Sequence, residues 1–235
     1  MATNQYNESP ADLETVPAGT VLYRILAANG GYAANSFNPH PRPLHDPDQG
    51  RFEPTDPALG GYLYVASTVA GAVAEGILRN MEIPPSRLAR RVWLKNKKLA
   101  MLRLNDDIEV AALYGRHTAK LNLDTSFLCC DSSGYSRTRL TATAVLLHTP
   151  AARGVRYPCR NHEQETALVL ISGRTPPALT VTRELHILHD AEGRELVFVT
   201  WTGRSASNTQ ERCRSYFSST AKSVGRVTRR SVMAE

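Results

Sequence analysis

The stretch from Gly61 to Asn80, GYLYVASTVAGAVAEGILRN, carries the side chains with the clearest chemical potential. A β-like run presents Tyr64, a Ser67-Thr68 pair follows, and a small-residue segment then holds one carboxylate, Glu75, on an otherwise uncharged surface. Just upstream, SFNPHPRPLHDPDQGRFEP contains Arg51. An arginine, a tyrosine and an isolated glutamate held by a strand-to-helix unit form a kit for gripping and cleaving a charged glycoside or nucleotide.

Two further residues stand out. Arg24 sits mid-run in VLYRIL, and strand alternation puts it on one face with Leu22 and Leu26. A buried guanidinium needs partners, because an unpaired buried charge is costly. Arg24 therefore reads either as an internal ion pair or as a phosphate clamp, which its planar fork suits. Ser136 opens a helix, where an N-cap and an anion site at the free N–H groups are both open to it. Taken singly, each residue also has a structural reading: Glu75 as a solvent stripe, Tyr64 as core, Arg51 as a loop arginine. No nucleophile elbow, P-loop or Rossmann glycine pattern is present.

These residues need elements to hold them. Val21–Leu26 and Gly61–Ala66 read as strands, with Tyr62 and Tyr64 on one face and Leu63 and Val65 on the other. Ser67 or Thr68 is expected to cap a helix running to about Asn80, stopped before Pro84-Pro85. Residues 27–59, rich in Gly, Asn and Pro, read as a long irregular segment. Leu88–Leu94 and Leu99–Leu104 read as strands, Ile108–Tyr114 as a short helix and Lys120–Tyr135 as loop. Ser136–Thr149 reads as a helix with Leu140, Ala144 and Leu147 at helical spacing. Gly154–Pro158 and Thr166–Ser172 read as strands. Leu185–Asp190 and Glu195–Trp201 flank a turn signal and read as a hairpin. The expected fold class is α+β: strand-rich mixed sheets with two to three helices.

The chain has 235 residues, enough for one sizeable domain. The expected organisation is a polar leader over 1–19, a single domain over 20–202, and a basic Ser/Arg-rich tail over 203–235. That tail holds seven basic and two acidic residues, so it supplies +5 of the net +6. It reads as a solvated end, with nucleic-acid binding the lesser reading, since no aromatic interleaving accompanies it. No apolar run approaches a membrane span, and the N-terminus lacks the charged and apolar regions of a secretory signal. The four cysteines (129, 130, 159 and 213) form no C-x-x-C pair, and Cys159/His162 and His186/His189 are isolated pairs. No metal site is expected, and a reducing cytoplasm is the expected compartment.

In order, these segments resemble the RES-domain family. LYRI at Leu22–Ile25 resembles its opening Y-R strand, and Gly50-Arg51-Phe52 its G-R-aromatic motif. Leu63–Glu75 resembles its strand-to-helix signature, with tyrosine and glutamate eleven positions apart. Ser136–Arg160 resembles its serine-started helix followed by a G-[VI]-x-Y strand. The match runs from about Val21 to Ser172. Phe52 stands where the family often has tryptophan or tyrosine, and Cys159 where a small serine is common after the G-x-x-Y strand. The segment between Arg24 and Arg51 is longer and proline-rich.

The resemblance implies an ADP-ribosyltransferase-like fold and an NAD-consuming activity. NAD would be the substrate, with no metal. The nicotinamide–ribose bond would be cleaved and the ADP-ribosyl group passed to water, inorganic phosphate or, in some members, a protein. It also implies the toxin of a toxin–antitoxin pair, with a cognate antitoxin as partner. Glu75, Arg24 and Ser136 would be catalytic, with Arg51 and Tyr64 completing the NAD pocket. A catalytically silent module that binds a nucleotide or partner is the alternative.

Overall fold

The computed structural model describes residues 6–81, 91–174 and 176–202. The tail over 203–235 lies outside the described residues. Eight strands form one sheet: β1 (Leu13–Val16), β2 (Val21–Ala27), β3 (Tyr62–Ala66), β4 (Lys97–Leu104), β5 (Ile108–Ala112), β6 (Gly154–Cys159), β7 (His162–Ile171) and β8 (Leu179–His186). Their spatial order is β1-β5-β6-β7-β3-β2-β4-β8, and among the described residues only the β5–β6 pair is parallel. Helices α1 (Val69–Gly76), α2 (Arg91–Leu94), α3 (His117–Lys120), α4 (Thr125–Leu128), α5 (Tyr135–His148) and α6 (Ala191–Thr202) complete the fold. The mixed α/β class is as the sequence implies, with more helices than expected.

The two faces of the sheet bury different cores. Tyr62, Ala66, Val155 and Val169 share one face with Ala72 and Val73 of α1 and Val145 and Leu146 of α5. Leu63, Val65 and Leu22 take the other face, together with Val16 and Val110 from one end of the sheet and Leu102 and Leu179 from the other. β1 and β2 are joined by residues 17–20 alone although four strands lie between them in the sheet, so the sheet bends back on itself. Alternation along β3 follows the expected register, with Tyr62 and Tyr64 opposite Leu63 and Val65.

Several local expectations differ from the structure. Leu13–Val16, inside the expected leader, pairs with β5 as an edge strand. Ile108–Ala112 is a strand rather than a helix, because β1 and β6 flank it on both sides, and such non-local partners override local preference. Arg91–Leu94 is a single helical turn, not strand, while 82–90 lies outside the described residues. The expected loop over 120–135 contains α4. The expected hairpin is absent: Glu195–Trp201 belongs to α6. There the Asp190 side chain accepts from the His186 amide at 2.6 Å, and the Asp190 carbonyl takes the Arg194 amide at 3.1 Å, which starts a helix. Short apolar runs such as LVFVTW do not distinguish strand from buried helix.

The unit that carries Glu75 forms largely as its sequence directs. Thr68 caps α1, its side chain accepting from the Gly71 amide at 3.0 Å. The helix ends at Gly76, earlier than expected. Gly76 lies where α1 meets β2, and a β-carbon there would stand 2.7 Å from Ile25 Cβ. Gly76→Ala should therefore lower stability by about 1–3 kcal/mol through overpacking, despite alanine's better helix propensity. A urea midpoint at or above wild type would show that α1 is not seated on Ile25.

Candidate functional site

The site lies at a seam in the sheet. β2 pairs with β4 over seven residues and β3 with β7 over five, yet β2 and β3 meet only at Tyr23 and Ala66. Beyond that pair the strands diverge. At the far end of β3, Asn38 substitutes for a strand: its amide donates to the Tyr62 carbonyl at 2.7 Å and its carbonyl accepts the Tyr62 amide at 3.0 Å. Between these two closures opens a cavity of about 240 Å³, lined by Tyr23 and Arg24 of β2, Tyr64 of β3, Glu75 and Gly76 of α1, and Arg79 just beyond. A pocket of this size sits near the lower end of small-molecule sites and takes one end of a larger ligand.

Arg51 anchors the floor behind Glu75. Its side chain is fully buried, and its guanidinium carbon lies 5.3 Å from the Phe52 ring centre and 5.1 Å from that of Tyr157. One terminal nitrogen donates to Glu75 Oε1 at 2.5 Å, and the other to the Leu128 carbonyl at 2.9 Å. Tyr157 donates to Glu75 Oε2 at 3.3 Å. Both carboxylate oxygens are thus oriented by the protein. Burial is the largest single effect on the Arg51 pKa and lowers it, but Glu75 together with Tyr157, Tyr135 and Cys129 outweighs it and the net shift is upward.

The loop that delivers Arg51 is fixed from several sides. Tyr64 Oη accepts the Phe52 amide at 2.9 Å. The Gly50 amide donates to Glu53 Oε1 at 2.6 Å, and a β-carbon at Gly50 would meet Tyr64 Oη at 2.6 Å, so this approach requires glycine. Thr138 Oγ1 donates to the Arg51 carbonyl at 2.7 Å. Arg139, buried in α5, donates to the carbonyls of Arg42, Pro43 and Glu53 and to Gln49 Oε1. Glu53, also buried, lies 3.8 Å from Arg139 and 3.9 Å from Arg42.

The five sequence candidates occupy different positions. Glu75, Arg51 and Tyr64 come together as one unit. Arg24 lines the cavity from β2 in the row of Leu22 and Leu26, and its Nη1 donates to the carbonyls of Ala34 at 2.7 Å and Ser36 at 3.3 Å. It thereby holds the segment whose Asn38 closes the seam. Burial lowers its pKa. Ser136 is not among the cavity's lining residues. It is the second residue of α5 and caps nothing: its Oγ accepts from Gln49 Nε2 at 3.1 Å and lies 2.9 Å from His45 Nδ1. It joins the site indirectly, through the loop that carries Arg51.

Sequence reasoning missed Tyr157, Glu53, Arg139 and Arg79. For Arg139 a signal existed. Tyr135, Arg139, Ala142 and Leu146 form the buried stripe of α5, while Leu140 and Leu147 are 50% and 45% exposed. The apolar positions Leu140, Ala144 and Leu147 marked the helical period but not the inward face.

Arg51 and Glu75 should be strongly coupled. Removing either charge alone leaves its partner buried and unpaired, at a cost of about 3–5 kcal/mol. Arg51→Met with Glu75→Gln should cost far less than the two single changes together. Urea unfolding of the cycle checks this, and additive losses would contradict the pairing. The Tyr64 and Tyr157 phenols are raised above their ordinary value of 10.0, chiefly by burial. In the unfolded chain they ionise first, so their contribution is complete below about pH 10 and falls as pH rises above it. Urea midpoints at pH 8.5 and 10.5 should show that decline, and an alkaline gain would refute it.

A chain of the M. tuberculosis MbcT–MbcA toxin–antitoxin complex is similar in fold, with a TM-score of 0.54 and 19% identity, over 78% of this chain and 92% of that chain. No curated protein matches the sequence. The RES domain matches residues 21–197, most of the chain and all five candidate site residues. The chain belongs to the RES-domain family.

Proposed function

We propose that this protein consumes NAD, cleaving the nicotinamide–ribose bond and passing the ADP-ribosyl group to water or inorganic phosphate. The observation that carries this reading is the Glu75 carboxylate, oriented by Arg51 and Tyr157 at the wall of a cavity in a split sheet. Family membership supports it, as does the likeness to a chain of a toxin–antitoxin complex.

Nicotinamide leaves as a neutral molecule from a cationic pyridinium, so the leaving group needs no proton. The transition state is oxocarbenium-like, and the enzyme's main task is to place negative charge beside it. Glu75 supplies that charge, held in one orientation so that little reorganisation is needed at the moment of cleavage. Tyr64 and Tyr23 wall the cavity in which the nicotinamide ribose would sit. Arg24, with its remaining donors, would face the substrate's phosphates, and Ser136 would act through the loop that holds Arg51. We further propose that the protein acts in the cytoplasm as the toxin of a pair, with an antitoxin that covers this cavity.

One observation favours a second reading, a nucleotide-binding module without turnover. Both Glu75 oxygens already have protein partners, Arg51 and Tyr157. The two readings separate on product analysis. Purified protein freed of any antitoxin, incubated with NAD with and without phosphate, should release nicotinamide. The co-product should be ADP-ribose in water and its 1″-phosphate if phosphate is the acceptor. Glu75→Gln should reduce the rate by about 10²–10³-fold, on the scale of other preorganised electrostatic groups. NAD that binds but stays intact would select the silent module, and ADP-ribosyl found on protein would select transfer to a side chain.

A further inference from the structure

We propose that Arg79, together with Arg24, grips a phosphoryl group of the ligand. This rests on the nucleotide reading of the cavity and deepens it.

The turn that carries Arg79 is held in place by surrounding side chains. Arg160 donates to the Arg79 carbonyl at 3.2 Å. Asn161 Nδ2 donates to the Leu78 carbonyl at 2.6 Å and lies 3.4 Å from that of Met81. Tyr135 donates to Asn80 Oδ1 at 3.0 Å. Four consecutive residues, Leu78 to Met81, are thus pinned by the β6–β7 turn and the start of α5. The guanidinium at the centre of this construction makes no hydrogen bond or ion pair with any described residue, although it lines the cavity. Its charge nonetheless reaches the site: it lowers the pKa of the Tyr64 and Tyr135 phenols against the larger effect of burial.

The other two arginines are engaged by the protein. Arg51 is neutralised by Glu75 and enclosed between two rings. Arg24 is tied to two carbonyls through Nη1. With the Arg51–Glu75 pair self-cancelling, Arg79 adds to the positive charge of Arg24 at the lining of the cavity. It stands four residues beyond Glu75, on the same wall. A ligand whose ribose meets Glu75 would bring the phosphate on its 5′ carbon toward such a group. A preorganised guanidinium with open donors suits a bidentate phosphate contact.

Calorimetric titration with ADP-ribose and, separately, with inorganic phosphate tests this in the full chain, and neither ligand is turned over. Wild type should bind ADP-ribose, and Arg79→Gln should weaken that binding by about 10–100-fold, the scale of a charge-assisted contact. Arg79→Lys should recover part of it, and the wild-type affinity should fall with added salt while that of Arg79→Gln changes less. The thermal midpoint should not move, because the guanidinium has no hydrogen-bond or ion-pair partner among the described residues to lose. Equal ADP-ribose affinity in wild type and Arg79→Gln would overturn the inference while leaving the nucleotide reading intact. Binding of inorganic phosphate alone, lost in Arg79→Gln, would keep Arg79 as a phosphate site and refute the nucleotide reading. Binding of neither ligand by wild type would refute both.

Discussion

The buried ion pair between Arg51 and Glu75 is the contact on which the rest of the site depends. Neither charge is tolerable alone at that depth, so each fixes the other. The consequence runs outward in both directions. To bring Arg51 there, the chain needs Gly50 against Tyr64, a hydroxyl on Thr138 and an aromatic slot made by Phe52 and Tyr157. To bring Glu75 there, it needs α1 close on β2, which Gly76 permits. Residues far apart in sequence are therefore constrained together by one electrostatic requirement.

Around that pair the protein has built a second polar layer inside what would otherwise be ordinary core. Glu53, Gln49, Arg139 and Ser136 are all buried, and all have hydrogen-bond or ion-pair partners. A network of this kind is costly when incomplete and specific when complete. It fixes the path of the 42–53 segment, which has no regular secondary structure and hence no ladder to hold it. Proline supplies further rigidity, and the segment passes from mostly exposed residues at 42–48 to buried ones at 49–53. Ser136 belongs to this layer, and that placement accounts for a serine remote from the cavity wall.

Much of the site's scaffold could be read in the sequence. Thr68 announced the start of α1, alternation placed Tyr64, and the ordered motifs grouped Arg51 with Glu75. What the sequence concealed has physical causes. Ile108–Ala112 is short, and only its non-local neighbours make it a strand. The run after Glu195 is apolar in almost every position, so it carries no period to separate strand from helix. The inward face of α5 mixes Arg139, Thr138 and Thr143 with Ala142, Val145 and Leu146, while Leu140 and Leu147 point out, so apolar residue type alone does not mark it. Arg24 was legible as a buried arginine, but the identity of its partners, two backbone carbonyls in an irregular segment, leaves no mark in residue types.

The single register pair between β2 and β3 has a mechanical meaning. On either side of it the sheet is two blocks, each with its own complete ladder, joined by one rung and bridged by α1. Separating the blocks would break the hydrogen bonds of that rung, each with a net worth of about 0.5–1.5 kcal/mol, and also the apolar contacts that α1 and the Leu22–Leu63 cluster make across it. The width of the cavity is therefore set by side-chain packing across the seam rather than by a backbone ladder.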